Sequence, residues 1–289
     1  MSPRAAGWNL IALSAAAFGA LGVLVKVAYA AGVDKYAALA VRFALAAAIL
    51  VPLAASRRPG RPPARVLAGL LLFGGGGYVA HSLCYFTALE FSSPGMVGLL
   101  FYLYPALVAL GGRLLFRERL AAAQVAAIAL ALAGTALTAG PLGGDQLPGI
   151  ALALSCAVIY AAYIVACSRL TRGLDPLVSA SVIISGAAVA YVVIAVARVS
   201  PLPPTAKGWI TVAAMAVLST SFAISAFFAA MRRIGATSAA VGSTLEPMVT
   251  VGLSCFVLGE RLTPIQLAGG AMIVAAVAWL ATRRPVASP

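Results

Sequence analysis

The chain has 289 residues, of which 63% are hydrophobic and only 9% charged, with a mean hydropathy of +1.04. An ordinary soluble domain is about a quarter charged, and its surface is too large to be covered by so few polar groups. The net charge of +13 does not point to nucleic acid, because the arginines sit in short breaks between apolar runs and form no stripe interleaved with aromatics.

The first apolar run covers 8–30. Arg4 precedes it and Ala28-Tyr29-Ala30 resembles a small-residue cleavage site, but the run is long for a signal peptide, carries Lys26 and is followed by nine similar runs. The second run, 36–55, contains Arg42 and ends at Arg57-Arg58-Pro59-Gly60-Arg61-Pro62-Pro63. The third, 65–89, holds four glycines, Gly74 to Gly77, and then Tyr78, His81, Ser82 and Tyr85 at spacings that share one helical face. The fourth, 94–116, carries Tyr102 and Tyr104-Pro105 and is expected to reach the fifth, 120–139, through a tight turn at Arg117-Glu118-Arg119. After Gly140-Pro141-Leu142-Gly143-Gly144-Asp145 comes the sixth, 148–170, with Tyr160 and Tyr163 on one face. The seventh, 176–198, is followed by Pro201-Leu202-Pro203-Pro204 and by the eighth, 207–231, where Ser221 and Ser225 are one turn apart. The ninth, 236–258, holds Ser243, Thr244 and Glu246-Pro247, and the tenth covers 263–282.

Each run is long enough to cross about 30 Å of hydrocarbon at 1.5 Å per residue, and the breaks leave no room for a soluble domain. The expected fold is an all-α membrane protein of ten transmembrane helices. With both termini in the cytoplasm, fourteen of the twenty Lys and Arg residues lie on the cytoplasmic side and four on the other; Lys26 and Arg42 lie within spans. That asymmetry sets the orientation.

The two halves also match each other. A shift of 142 residues places Gly7 on Gly149, Phe86 on Phe228, Pro105 on Pro247, Glu118-Arg119-Leu120 on Glu260-Arg261-Leu262 and Gln124 on Gln266. Residues 1–141 and 142–289 therefore read as two five-helix repeats. Five spans is an odd number, so the second repeat enters the membrane inverted. Secondary transporters are built this way, with substrate sites near the midplane between the repeats.

An ionisable group within a span costs about 2.5–3.5 kcal/mol on insertion scales, so those present need a reason. Glu246 reads either as a proton carrier or partner for a substrate ammonium, or as a carboxyl bracing a proline kink. His81 reads as cavity lining or as helix packing. Lys26 and Arg42 lie near the outer ends of their spans and read as snorkelling cations; Arg42, the deeper, could also meet a substrate carboxylate. Tyr102, Tyr160, Tyr163, Ser225 and Ser243 add a mildly polar interior, and Pro105 and Pro247 are candidate hinges. Together with Tyr78, His81, Tyr85, Glu246 and Arg42 these are the candidate substrate-binding residues. They suit zwitterionic or neutral solutes better than phosphates, which would demand several arginines. No metal site or cofactor is expected: there is one histidine, and Cys84, Cys156, Cys167 and Cys255 form no CxxC pair. No HExxH, GxSxG or paired intramembrane aspartate suggests an enzyme.

Phe101-Tyr102-Leu103-Tyr104-Pro105 leading to Phe116-Arg117-Glu118-Arg119-Leu120, and Leu245-Glu246-Pro247 leading to Leu258-Gly259-Glu260-Arg261-Leu262, resemble the repeat signature of the EamA family in the drug/metabolite transporter superfamily. Lys26 and Arg42-Phe43 fit the same pattern; Phe116-Arg117 departs from it, where the family has Leu-Gly. The resemblance covers the whole chain. It implies an inner-membrane exporter of small metabolites, most often amino acids, with YddG-like aromatic amino-acid exporters among the members, or alternatively a carrier of a drug-like compound, sugar or nucleoside. It also implies a central cavity worked by alternating access, with the lipid bilayer, a small-molecule substrate and candidate coupling protons as partners.

Overall fold

The computed structural model describes residues 3–57, 62–116, 122–139, 147–171, 173–234, 239, 242–243 and 245–282. These residues form helices and short connections only. In chain order they are α1 (Pro3–Gly19), α2 (Leu21–Ala30), α3 (Lys35–Ala55), α4 (Ala64–Phe73), a π-helical segment (Gly74–Tyr78), α5 (Val79–Phe91), α6 (Pro94–Phe101), α7 (Tyr104–Phe116), α8 (Ala122–Ala139), α9 (Leu147–Leu170), α10 (Pro176–Ala197), α11 (Ala206–Ala216), a second π-helical segment (Val217–Phe222), α12 (Ala223–Ile234), α13 (Leu245–Leu258) and α14 (Pro264–Thr282).

Among the described residues six stretches are long and apolar enough to cross a membrane: Ala5–Ala30, Lys35–Ala55, Ala64–Phe91, Leu147–Cys167, Pro176–Ala197 and Ala206–Met231. Four shorter apolar helices, Pro94–Val108, Val125–Thr138, Leu245–Leu258 and Pro264–Trp279, stand beside them among the described residues. The chain is a multi-pass membrane protein. Large apolar side chains cover its outer surface, with Phe256 90% and Leu72 75% exposed, as a lipid-facing surface allows. The turn at Arg117-Glu118-Arg119, the 140–145 linker and Thr244 lie outside the described residues.

The helices are less regular than the apolar runs suggest. Run four is not one helix: α6 stops at Phe101, Tyr102 and Leu103 form a turn, and α7 restarts at Tyr104. Pro105 thus occupies the first turn of a half-helix, where its missing N–H costs nothing. Run nine breaks at the equivalent place, with Ser243 in a turn and Pro247 in the first turn of α13. Run one is interrupted at Ala20.

Runs three and eight each contain a π-helical segment, and the two segments overlap under the 142-residue shift, which places 74–78 on 216–220. The first uses the glycine run. An added Cβ at Gly74 would lie 2.1 Å from the Ile183 carbonyl oxygen of α10, and one at Gly186 would lie 2.5 Å from that of Leu71, so backbone meets backbone there. The second is held by hydroxyls: Thr220 and Ser221 donate to the carbonyls five residues earlier, Met215 and Ala216, each at 3.0 Å.

Packing follows the repeat, with equivalent elements crossing each other or exchanging partners. α3 crosses α10, α8 crosses α14, α1 lies on α12 and α5 on α9. Gly7 sits against Ile234, and its equivalent Gly149 sits against Ser92. The caps agree as well: Asp34 accepts from Tyr36 and Ala37 N–H at 3.0 Å, and Asp175 from Leu177 at 2.8 Å and Val178 at 3.4 Å. Each starts its helix by satisfying two otherwise orphaned donors. The interval between these caps is 141 residues, so the repeat slips by one at α10.

Candidate functional site

A cavity of about 640 Å³ lies between the halves. The first half supplies Phe18, Arg42, Tyr78, His81, Ser82, Tyr85, Phe101, Tyr102 and Tyr104, and the second Tyr160, Tyr163, Phe227, Phe228, Ser243, Glu246, Pro247 and Thr250. The lining extends to Thr171, Leu174 and Pro176, so the cavity reaches the end of the bundle where α9 turns into α10. At the other end it stops near Leu21 and Phe86.

One wall is aromatic. The His81 ring stacks on Tyr160 with centroids 4.4 Å apart, and Tyr78 and Phe101 each lie 5.4 Å from it. Tyr160 stacks in turn on Tyr163 at 5.8 Å and meets Tyr104 edge-on at 4.9 Å. The π segment before Tyr78 retains the expected face: Tyr78, His81, Ser82 and Tyr85 all line the cavity. Behind them Tyr191 donates to the Val79 carbonyl at 2.8 Å, lies 2.8 Å from the Ser82 hydroxyl, and stacks on Phe43. His81 Nδ1 is buried with no hydrogen-bond partner among the described residues.

Arg42 is not a snorkelling cation. It is 4% exposed, and its Nε donates to the Thr220 hydroxyl in the second π segment at 3.0 Å. Its guanidinium lies over the Phe43 ring at 4.8 Å and near Phe86 at 5.6 Å, so cation–π attraction replaces part of the lost hydration. The side chain joins α3 to the second π segment and also forms part of the cavity lining.

Glu246 also lines the cavity, from the first turn of α13, where a negative charge meets the positive end of the helix dipole. No described residue donates a hydrogen bond to its carboxylate or pairs with it. Its backbone is fixed more firmly: Thr250 donates both to the Glu246 carbonyl at 3.1 Å and to that of Gly19 at 3.0 Å, tying α13 to the end of α1. The arrangement offers one carboxylate and one guanidinium on a hollow otherwise walled by rings. That can hold an amphipathic solute and orient its charged end.

Of the residues singled out in the sequence, Arg42, Tyr78, His81, Tyr85, Tyr102, Tyr160, Tyr163, Ser243, Glu246 and Pro247 line this one cavity. Ser225 and Pro105 do not. The Ser225 hydroxyl is buried without a partner among the described residues. Sequence reasoning misses Phe101, although it touches His81, Tyr85, Tyr104 and Tyr160; it also misses Phe18, Phe227 and Phe228. Apolar rings within apolar runs carry no signal of their own, and only their adjacency to flagged tyrosines could have revealed them. Among the described residues no cluster of three or more His, Cys, Asp or Glu could hold a metal, and all four cysteines are free.

The sequence profile of the EamA-like transporter family matches the chain twice, over residues 6–140 and 147–282. The aromatic amino acid exporter YddG of Ancylobacter novellus is 30% identical over 171 residues. That match covers 57% of this chain and 55% of the exporter, so the chain spans about half the length of the curated relative it matches. A protein solved by crystallography is similar in fold, with a TM-score of 0.66 and 23% identity over 94% of this chain and 96% of its own.

Proposed function

The chain belongs to the EamA-like transporter family, and from that premise we propose that it exports small amphipathic metabolites, amino acids with aromatic side chains foremost, across a bacterial inner membrane. Membership makes it a membrane transporter of small molecules; the cargo and direction are the proposal. The observation that carries it is the cavity itself, a hollow of about 640 Å³ lined by the stacked rings of His81, Tyr160 and Tyr163 together with Glu246. A ring-bearing solute stacks against the aromatic wall, and such pairs contribute about 0.5–1.5 kcal/mol beyond area burial. Its ammonium meets Glu246. The similarity to an aromatic amino acid exporter favours the same cargo class.

In this reading residues 1–141 and 142–289 are inverted five-helix repeats, and ten spans place both termini in the cytoplasm. The end bearing Thr171 and Pro176 is then cytoplasmic, so the structure corresponds to a state open inward. The solute enters there, and rocking of the halves about the broken helices at Tyr102-Leu103 and Ser243 exposes it outside, with protons as candidate coupling ions.

The test is counterflow into proteoliposomes preloaded with unlabelled solute, using labelled amino acids, sugars and nucleosides with and without a pH gradient. Accumulation of phenylalanine, tyrosine or tryptophan is the expected result. Exchange of sugars or nucleosides alone would move the cargo class, and a pH gradient without effect would remove the proton.

A further inference from the structure

Two hollows lie along one path. The central cavity ends at Leu21 on α2 and Phe86 on α5. A second pocket, of about 620 Å³, begins on the same helices at Lys26 and Leu89 and is bounded by Tyr29, Lys35 and Glu90. Five residues of α2 and three of α5 separate them, or about 7.5 and 4.5 Å at 1.5 Å per residue. One layer of side chains fills that gap. Pro94 and the Tyr85 hydroxyl press on Gly22, where an added Cβ would meet them at 3.0 and 3.1 Å, and the Thr250 methyl would meet one on Gly98 at 2.9 Å.

Glu260 holds this layer together. α13 ends at Leu258, and Gly259 takes φ +67°, a left-handed conformation that glycine adopts without strain. The Glu260 N–H then returns to the Ser254 carbonyl at 3.3 Å, folding the chain back onto the last turns of α13. So placed, the Glu260 carboxylate accepts from the Ser254 hydroxyl, the Ser93 hydroxyl and the Gly95 N–H. Ser93 is the N-cap of α6 and Gly95 lies in its first turn, so the anion sits where the helix dipole favours it. Only a glycine leaves room: a Cβ at position 95 would lie 2.8 Å from both carboxylate oxygens. Glu260 belongs to the second half and α6 to the first, and the contact therefore ties the halves together at this end. Lys26 faces the Glu260 and Glu90 charges and makes no direct ion pair with either among the described residues.

We propose that the layer between the two hollows is the outer gate of the transport path, that Glu260 is its latch, and that the Lys26 pocket is the exit vestibule into which the cavity opens when Glu260 leaves α6 for Lys26. The proposal rests on the transport reading of the central cavity. It also gives the Gly259-Glu260 pair a physical role, since the glycine turns the carboxylate back onto the partner half.

The experiment is cysteine accessibility in intact cells, using a membrane-impermeant maleimide added outside and, separately, to inverted vesicles, with the labelling of the parent's own cysteines subtracted. Lys26→Cys is expected to label from outside in every background. Leu21→Cys is expected to label slowly from outside in the parent and about tenfold faster when Glu260→Gln or Gly95→Ala is added, the effect of losing about one charge-assisted hydrogen bond. The two variants disrupt the latch from opposite partners, so a fold defect in one leaves the other informative. Unchanged Leu21→Cys labelling in both, with each protein inserted and monodisperse, would overturn the latch. Labelling of Lys26→Cys from the cytoplasmic side alone would overturn the vestibule. The readout needs no substrate, so the expected labelling pattern without any counterflow would sink the transport reading and leave the gate standing.

Discussion

The two π segments occupy the same place in the two halves and are built from different chemistry. In the first, glycines let the backbone touch α10, with Gly74 against the Ile183 carbonyl. In the second, Thr220 and Ser221 hydroxyls satisfy carbonyls five residues back, and Thr220 also receives Arg42 from α3. A π turn leaves backbone carbonyls poorly served, and each half solves the problem with the residues it has: close packing in one, side-chain donors in the other. The repeat has kept a shape. The cavity residues differ in the same way, since the shift carries Tyr104 onto Glu246 and Tyr160 back onto Phe18, so that a tyrosine in one half answers a carboxylate or a phenylalanine in the other.

Substitutions can break that comparison at its strongest point first. Gly74→Ala places a Cβ 2.1 Å from a backbone oxygen that cannot swing away; loss of folded, monodisperse protein in detergent is the expected outcome, and normal yield would show that the α4–α10 contact is looser than this geometry requires. Glu246→Gln keeps the shape and removes the charge, and should lower counterflow about ten- to hundredfold, the range of a lost charged hydrogen bond, while Tyr104→Phe at the equivalent position changes it less. Comparable losses in both would make the two equivalent positions interchangeable. Thr220→Val leaves the Arg42 Nε without its acceptor and should cost about 1–3 kcal/mol, read as a lowered midpoint in thermal unfolding; Ser225→Ala, outside the cavity, should leave counterflow unchanged. Gly76→Ala sharpens the contrast within one segment. Nothing lies within 4 Å of its added Cβ, so thermal stability should stay level or rise by about 0.5–1 kcal/mol.

Much of this is legible in the sequence. Apolar runs and Lys/Arg asymmetry set out the helices, and polar residues stranded in those runs mark most of the cavity, because burying them needs a reason. The Tyr78, His81, Ser82 and Tyr85 face survives since only Tyr78 belongs to the π segment, as its last residue, and the rest lie in regular helix beyond it. Ser225 fails for the complementary reason. Its pairing with Ser221 assumes an unbroken 3.6-residue period, which the second π segment interrupts at Ser221, and neither serine lines the cavity. Thr220 and Ser221 look like ordinary back-bonding hydroxyls, so nothing in the sequence distinguishes an i−5 from an i−4 bond. Arg42 reads equally as reaching for the interface or meeting a substrate carboxylate, because its depth is visible in the sequence and its partner, 178 residues away, is not. The same holds for Glu260, whose motif is visible while Ser93 and Gly95, which define its role, come only with the fold.

Transport by rocking requires the halves to be oppositely oriented about a shared hollow. Arg57 and Arg198 occupy corresponding exposed positions just past the ends of α3 and α10, and a cysteine at each can be labelled from either face of the membrane. The expected result is that Arg57→Cys reacts only from the cytoplasmic side and Arg198→Cys only from outside. Reaction of both from the same side would contradict that arrangement.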